Sequence, residues 1–336
     1  MKQRVKELYF TLRHNWIFYL LSVIILSLIT IVISSTLALI VQVFNKEQAI
    51  SDIYEGKSIF QISDTFIESN DFNEFRLSDK NINKIARFYN MLNKSDNIEF
   101  VSTFTQPLYI ENFKGGKEFY YNEFAENNVY NIKSVQMNLS AYQFYKIALN
   151  EGIEPDWINV QAGDDIIPII LGSDYRDIYA VDDELIGLYY NKYITFRVVG
   201  FMKENQSIYY QGNTEFYLDS YILVPYPYEC SDITLPNSDE MVFKGILYFA
   251  MINSNIATSL DEISLKTIID DISYLTRFYD HILIGHSLFS LRYSQMVSVI
   301  IENKNMLIAF MIFAIIFSLV IQFSISLTII RRRNYF

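Results

Sequence analysis

Cysteine, histidine and proline are scarce in this 336-residue chain, with one, three and six residues respectively. One thiol, Cys230, cannot make an internal disulfide, so any folded domain must hold together through its core. The plain reading of Cys230 is a small, partly buried residue. His14 stands near the start of the chain. His281 and His286 differ by five positions, and odd spacing on a strand puts them on opposite faces, which argues against a shared metal. HExxH and GxSxG are missing. Gly116-Lys117 is followed by Glu118, and Glu111 stands where a Walker A loop begins with glycine, so ATP is not bound by that route. The acidic groups Asp164-Asp165, Asp182-Asp183-Glu184 and Asp270-Asp271 lack the spacing of a calcium loop and read as solvated faces or helix caps. No catalytic residue, cofactor or metal is expected.

Charge is missing altogether from two long stretches. None occurs from Asn15 to Asn45, or from Asn305 to Ile330, and both runs are rich in Ile, Leu, Val and Phe. Each is long enough to cross a hydrocarbon core of about 30 Å as a helix. The first is too long for a signal-peptide apolar region, so it is expected to be retained as an anchor. Neither span holds an ionisable residue, which argues against an ion or proton path. Ser27, Thr30, Ser34, Ser318, Ser324 and Ser326 are expected to serve helix–helix packing.

The charges that are present divide unevenly. The two ends carry seven basic residues (Lys2, Arg4, Lys6, Arg13 and Arg331 to Arg333) against the single acid Glu7. With 27 basic and 38 acidic residues in all, the middle is left with a net charge of −17. Basic flanks stay inside, so both termini are expected in the cytoplasm and the acidic domain outside. An acidic soluble part makes a nucleic-acid partner unexpected. Abundant Ile, Asn, Lys and Tyr with few Gly and Pro suit an AT-rich bacterial genome.

These readings define a membrane protein of the α+β class, with two transmembrane helices bracketing one large mixed domain and a helical stalk. Residues 1–15 are expected to form an amphipathic cytoplasmic helix with Val5, Leu8, Tyr9 and Leu12 on one face, suited to the inner leaflet of the lipid bilayer. Spans follow at 16–44 and 305–330, and a basic end at 331–336. The domain, 45–304, is expected to divide into a βαβ-rich lobe at about 58–139, a strand-rich lobe at about 140–260, and a return helix, strand and stalk at 261–304. Strands are expected at Ser58–Ser63, Ile98–Ile110, Tyr130–Leu139, Ile166–Leu171, Tyr193–Phe201, Tyr221–Val224, Gly245–Ile252 and His281–Leu291. Helices are expected at Lys46–Gly56, Ser78–Asn93, Ser140–Asn150, Asp174–Tyr179 and Asp261–Phe278, and Lys114-Gly115-Gly116-Lys117 reads as a hairpin turn between alternating segments.

Ile166 to Tyr226 is the most diagnostic stretch. A strand passes through Ile169-Ile170-Leu171 into Gly172-Ser173. A later strand reads Phe196-Arg197-Val198-Val199-Gly200, and a third segment ends Ile222-Leu223-Val224-Pro225. Upstream stands Leu149-Asn150-Glu151-Gly152. In order and spacing this resembles the extracytoplasmic domain of MacB/FtsX-type ABC transporter permeases. The resemblance implies a permease subunit or half-subunit that passes the motion of a separate cytoplasmic ABC ATPase to its outer domain, with peptides or other amphiphiles as cargo. It implies a second permease copy or a sibling membrane subunit as partner. Val5, Leu8, Tyr9, Leu12, Arg331, Arg332 and Arg333 would lie near the ATPase, and Gln295, Val299 and Glu302 would sit on the transmitting stalk. Gly172, Ser173, Val199, Gly200 and Pro225 would be structural. The family's permeases usually continue into a coupling segment and two more spans, whereas this sequence ends at Arg331–Phe336. A split permease, a truncated one and a two-span relative are all compatible with that end. The alternatives from other classes are a two-span sensor or scaffold and a membrane-anchored enzyme.

Overall fold

A computed structural model describes residues 16–53, 57–66, 68–126, 128–211, 213–233, 238–285 and 304–334. The chain divides into two units, Met1–Gln48 with Leu291–Phe336, and Ala49–Ser290. The first contains most of one long helix, α1 (Trp16–Ile53), and all of a second, α7 (Lys304–Asn334). Their apolar stretches, Trp16–Ala38 and Asn305–Thr328, have a mean hydropathy of 2.7 each and are 0% and 6% buried. Long apolar helices left uncovered by protein suit a lipid environment rather than a soluble core. The hydroxyls of Thr30 and Ser324 bond their own backbone, to Leu26 O and Val320 O at 2.8 Å each. The Val5–Leu12 face, Gln295, Val299, Glu302 and His286 lie outside the described residues.

The second unit is built on two sheets. The smaller has the order β16-β1-β15-β2, from β1 (Ser58–Asp64), β2 (Glu99–Val101), β15 (Ser254–Thr258) and β16 (His281–Ile284). Between β1 and β2 come α2 (Ser69–Arg76) and α3 (Asp79–Asn93), and between β15 and β16 comes α6 (Glu262–Thr276). All three strand pairings are antiparallel. Two split βαβ units therefore interlock in the ferredoxin-like arrangement. Helix α3 forms because Ile82, Ile85, Ala86, Phe88, Tyr89 and Leu92 recur at helical spacing, and all six are buried. The side chain of Asp261 caps α6 by accepting the Ser264 N–H at 2.8 Å, which holds its carboxyl below the usual range.

Everything between β2 and β15 is an insertion into that frame. It holds β3 (Thr103–Phe104), β4 (Leu108–Glu111), β5 (Tyr120–Glu126), β6 (Val129–Ile132), β7 (Ser134–Met137), α4 (Leu139–Phe144), β8 (Leu149–Gly152), β9 (Ile166–Leu171), β10 (Glu184–Tyr189) and β11 (Lys192–Met202). The hairpin of β12 (Ser207–Tyr210) and β13 (Asn213–Tyr217) comes next, followed by β14 (Ile222–Pro225) and then α5 (Ser238–Ile252), which leads into β15. Ten of these strands form one sheet of order β3-β7-β14-β9-β11-β10-β4-β6-β5, with β8 alongside β11. The β10–β11 hairpin closes through Tyr190-Asn191, both at positive φ (46° and 67°), as a two-residue turn between twisted strands requires. A hydrophobic cluster runs through both sheets, from Phe60, Ile62 and Phe100 of the small sheet to Ile110, Ile169 and Phe196 of the large one.

Several segments depart from what the sequence pattern predicts. Gly245–Ile252 is not a strand but the second half of α5. An apolar run of eight residues carries no period that separates strand from helix, and α5 is buried on several sides because it packs on α2, α3 and β1. The helix expected over Ser140–Asn150 ends at Phe144, because Lys146 turns the chain at φ 53° and Leu149–Gly152 joins β11 as β8. The turn at Lys114–Lys117 does not join paired strands, since β6 lies between β4 and β5. A 3-10 turn (Lys117–Phe119) instead folds Phe119 onto Tyr175, with ring centroids 4.2 Å apart. Strands β3 to β7 belong to the large sheet and β15 to the small one.

Candidate functional site

The first element of the site is the strand pair β1–β16. Strand β1 starts five residues after α1 ends, and β16 is the last described strand before α7. The two strands joined to the apolar helices are thus immediate neighbours, in the register Gln61↔Ile284, Ile62↔Leu283, Ser63↔Ile282 and Asp64↔His281. Because the pair is antiparallel, both connections leave from its Gln61/Ile284 end.

The second element is a buried polar hub where the chain enters and leaves the insertion. Asn138, fully buried after β7, uses its whole side chain. Its Oδ1 accepts from Ala141 N (2.9 Å) and Ser102 N (3.2 Å), and its Nδ2 donates to Asn93 Oδ1 (2.9 Å) and Phe100 O (2.8 Å). Ser102, between β2 and β3, donates to Met251 O at 2.7 Å. Ser254, the first residue of β15, lies 3.0 Å from Ser102 Oγ. The outgoing and returning strands of the small sheet and the end of β7 are therefore bonded to one another. Buried groups with all partners present fix a single geometry, and removing one strands the rest.

The third element is the strap from Pro227 to Ile233, which carries the chain from β14 towards α5. It is fastened along one face of α3. Asn83 and Asn90 each exchange two hydrogen bonds with a strap backbone unit: Asn83 with Ile233 (2.7 and 3.2 Å), and Asn90 with Cys230 (2.8 and 2.9 Å). Asn93 donates to Tyr228 O at 3.0 Å, and Tyr89 donates to Pro227 O at 3.1 Å. Arg87–Asp232 and Lys94–Glu229 ion pairs flank the row. Asn83, Arg87, Asn90 and Lys94 recur at i, i+4, i+7 and i+11, one stripe of a helix. That stripe advances about 16 Å, close to the reach of about 13 Å for an extended strap over its four steps from Glu229 to Ile233. Burial pushes the Cys230 thiol and the Tyr89 hydroxyl well up from their usual ranges, so both stay neutral.

The residues expected to be structural cluster on the insertion. Gly172 and Ser173 follow β9, and Val199-Gly200 lies in β11, which pairs with β9 through Gly200↔Ile170. Gly172 has no room for a side chain, since a Cβ there would meet Asp219 O at 2.0 Å. Ser173 Oγ donates to Asp219 Oδ1 at 2.6 Å. Gly200 lies opposite Gly152, where Val199 O accepts the Ile153 N–H at 2.9 Å. Pro225, opposite Met137, closes the far end of β14. None of these five belongs to the hub, the strap or the β1–β16 pair. The signal for the strap was present in the sequence as the spacing of Asn83, Asn90 and Asn93. The hub carried no such signal, because its parts lie up to 161 positions apart, from Asn93 to Ser254.

Two helices long and apolar enough to span a membrane, bracketing a large β-rich mixed domain, define the architecture. Among solved structures, the chain is similar to the periplasmic region of MacB from Actinobacillus actinomycetemcomitans, at 11% identity and a TM-score of 0.36, over 70% of this chain and 92% of that one. It is also similar to the extracellular domain of the noncanonic ABC-type transporter YknZ from Gram-positive bacteria, at 8% identity and a TM-score of 0.33, over 68% of this chain and 98% of that one. No protein-family model and no curated protein matches the sequence.

Proposed function

We propose that this chain is a permease subunit or half-subunit of a MacB/FtsX-type ABC transporter, inserted with both termini in the cytoplasm and its domain outside a bacterial cell membrane. The observation that carries the reading is the β1–β16 pair. The strands connected to the two apolar helices lie side by side, so a change in the separation of those helices acts first on one strand pair and then on the frame that holds the insertion. The Ile166–Tyr226 pattern, with its glycines at tight backbone contacts, is the second support. ATP hydrolysis belongs to a separate cytoplasmic ATPase. Val5, Leu8, Tyr9 and Leu12 and the Arg331–Arg333 end contact that subunit, while Gln295, Val299 and Glu302 carry its motion. A second copy or a sibling subunit completes the membrane part, and peptides or other amphiphiles are the cargo class.

The test is co-purification of the full chain, in detergent, with an ATPase whose hydrolysis rate the chain alters. Val299→Pro is expected to abolish that alteration while membrane insertion is kept. An unaffected hydrolysis rate in the variant would count against force transmission, and failure to recover any ATPase would leave the two-span sensor or scaffold as the better reading.

A further inference from the structure

His281 is the first residue of β16 and sits at the end of the β1–β16 pair opposite the membrane connections, facing Asp64 across the strands. Its ring is held by aromatic neighbours. It lies parallel to Phe278 with centroids 5.8 Å apart, and against Phe88 of α3 at 4.8 Å. Phe278 in turn touches Phe75 and Phe249, so the imidazole caps a cluster of phenylalanines.

The hydrogen bonds around the ring assign its tautomer. Ser273 Oγ donates to Ile269 O at 2.6 Å, which uses its only proton. Its 3.3 Å contact with His281 Nε2 must therefore have Nε2–H as the donor. The lone pair is left on Nδ1, which is buried and has no hydrogen-bond partner among the described residues. A proton added there would be a buried donor without an acceptor, on a charged ring that is only partly exposed.

We propose that His281 is an acid-sensitive latch: the neutral imidazole fastens the far end of β16 to α3 and α6, and protonation at Nδ1 drives the ring out of its Phe88–Phe278 slot and loosens β16 from β1.

The charged groups around the ring set how sharply this happens. Burial is the largest influence and lowers the pKa of His281 from its ordinary 6.5, while Asp270 of α6 and the adjoining Asp280 raise it. Asp64, opposite on β1, is occupied by Asn253, which donates to its Oδ2 at 2.7 Å, and by the Phe66 N–H on its Oδ1 at 2.9 Å. From α3 the ring meets Phe88, whose face offsets part of the cost of a cation. The closed form thus binds its proton less readily than the open form. The latch holds fully above the ordinary pKa, and its contribution is lost as pH falls below 6.5 towards the depressed value.

The experiment is hydrogen–deuterium exchange on the full chain in lipid nanodiscs at about pH 7.5 and about pH 5.5, corrected for intrinsic exchange, following peptides that cover β1 and β16. One pH unit below the free imidazole pKa sets a ceiling of about tenfold on the loss of protection, and a loss up to that ceiling is expected at β1 and β16 while the insertion is unchanged. His281→Gln is expected to abolish the pH response. Asp270→Asn, which removes a carboxylate that favours the imidazolium, is expected to move the midpoint to lower pH. Equal protection of β1 and β16 at both pH values would overturn the proposal. So would a wild-type-like response in His281→Gln, or an unmoved midpoint in Asp270→Asn. If His281→Gln is unprotected at neutral pH, His281→Phe takes its place with the same two outcomes.

Discussion

The two sheets answer to different constraints. The small sheet is assembled from strands far apart in sequence: β1 pairs with β15 and β16, some 200 residues away. It has four short strands, and both connections to the apolar helices enter it side by side. The large sheet contains local hairpins such as β10–β11 and carries no connection to the helices of its own. The frame closes only when distant segments meet, whereas parts of the insertion are specified by neighbouring residues. Loop-closure entropy penalises the frame more heavily, and the shared apolar core, the hub and the strap together offset it. Disturbing the hub should therefore be felt in both sheets, and disturbing the insertion in one.

Asn138→Leu breaks this contrast most severely. It leaves Ser102 N, Ala141 N and Phe100 O without their partner, and about 3 kcal/mol of stability is expected to be lost. Thermal unfolding of the purified chain should move down by roughly 6–12 °C, with exchange protection lost in both sheets together. Loss confined to the large sheet would show that the hub does not join the two.

Gly172→Ala comes next. A Cβ pressed against the Asp219 and Leu218 carbonyls forces β9 and the segment before β14 apart, at an expected cost of about 2 kcal/mol. Exchange in the β9–β14 region should rise while β1 and β16 keep their protection. This outcome would mark the Gly172-Ser173 step as a packing requirement of the insertion.

Asn90→Ala removes two bonds between α3 and the strap without entering either sheet. A loss of about 1.4 kcal/mol corresponds to a tenfold change in an opening equilibrium. Alkylation of Cys230, which is buried and kept as the thiol, should speed up by about that factor in native conditions. An unchanged rate would show that the strap is held by its apolar residues instead. The smallest effect is expected for Asn191→Gly in the β10–β11 turn. The site is already at positive φ and the turn is local, so chemical denaturation should move by no more than about 0.5 kcal/mol.

The same contrast explains what the sequence made legible. Ser58–Ser63, Tyr193–Phe201, Ser78–Asn93 and Asp261–Phe278 read correctly because each carries its own period and its own ends. Gly245–Ile252 did not, because an unbroken apolar run records burial and not conformation. Lys114–Lys117 looked like a hairpin because Gly-Gly permits one, but Phe113 and Phe119 pack against Tyr175 and Tyr179 instead. Of the site, only the polar stripe of α3 was visible in one segment. The hub and the β1–β16 pair consist of residues that look ordinary alone and gain meaning from partners across the chain. His281 is the clearest case: the sequence offered it only as half of an unlikely metal pair.

The antiparallel β1–β16 pair also has a mechanical grain. Two strands pulled from the same end come apart like a zip, one hydrogen-bonded step after another, whereas strands pulled from opposite ends resist with all their bonds at once. Tension between the two helices would open Gln61/Ile284 first, then Ile62/Leu283 and Ser63/Ile282, and reach Asp64/His281 last. Each step releases about 3.4 Å of each strand. The domain would yield to the membrane helices by small, countable increments at low force, with its final tooth at His281.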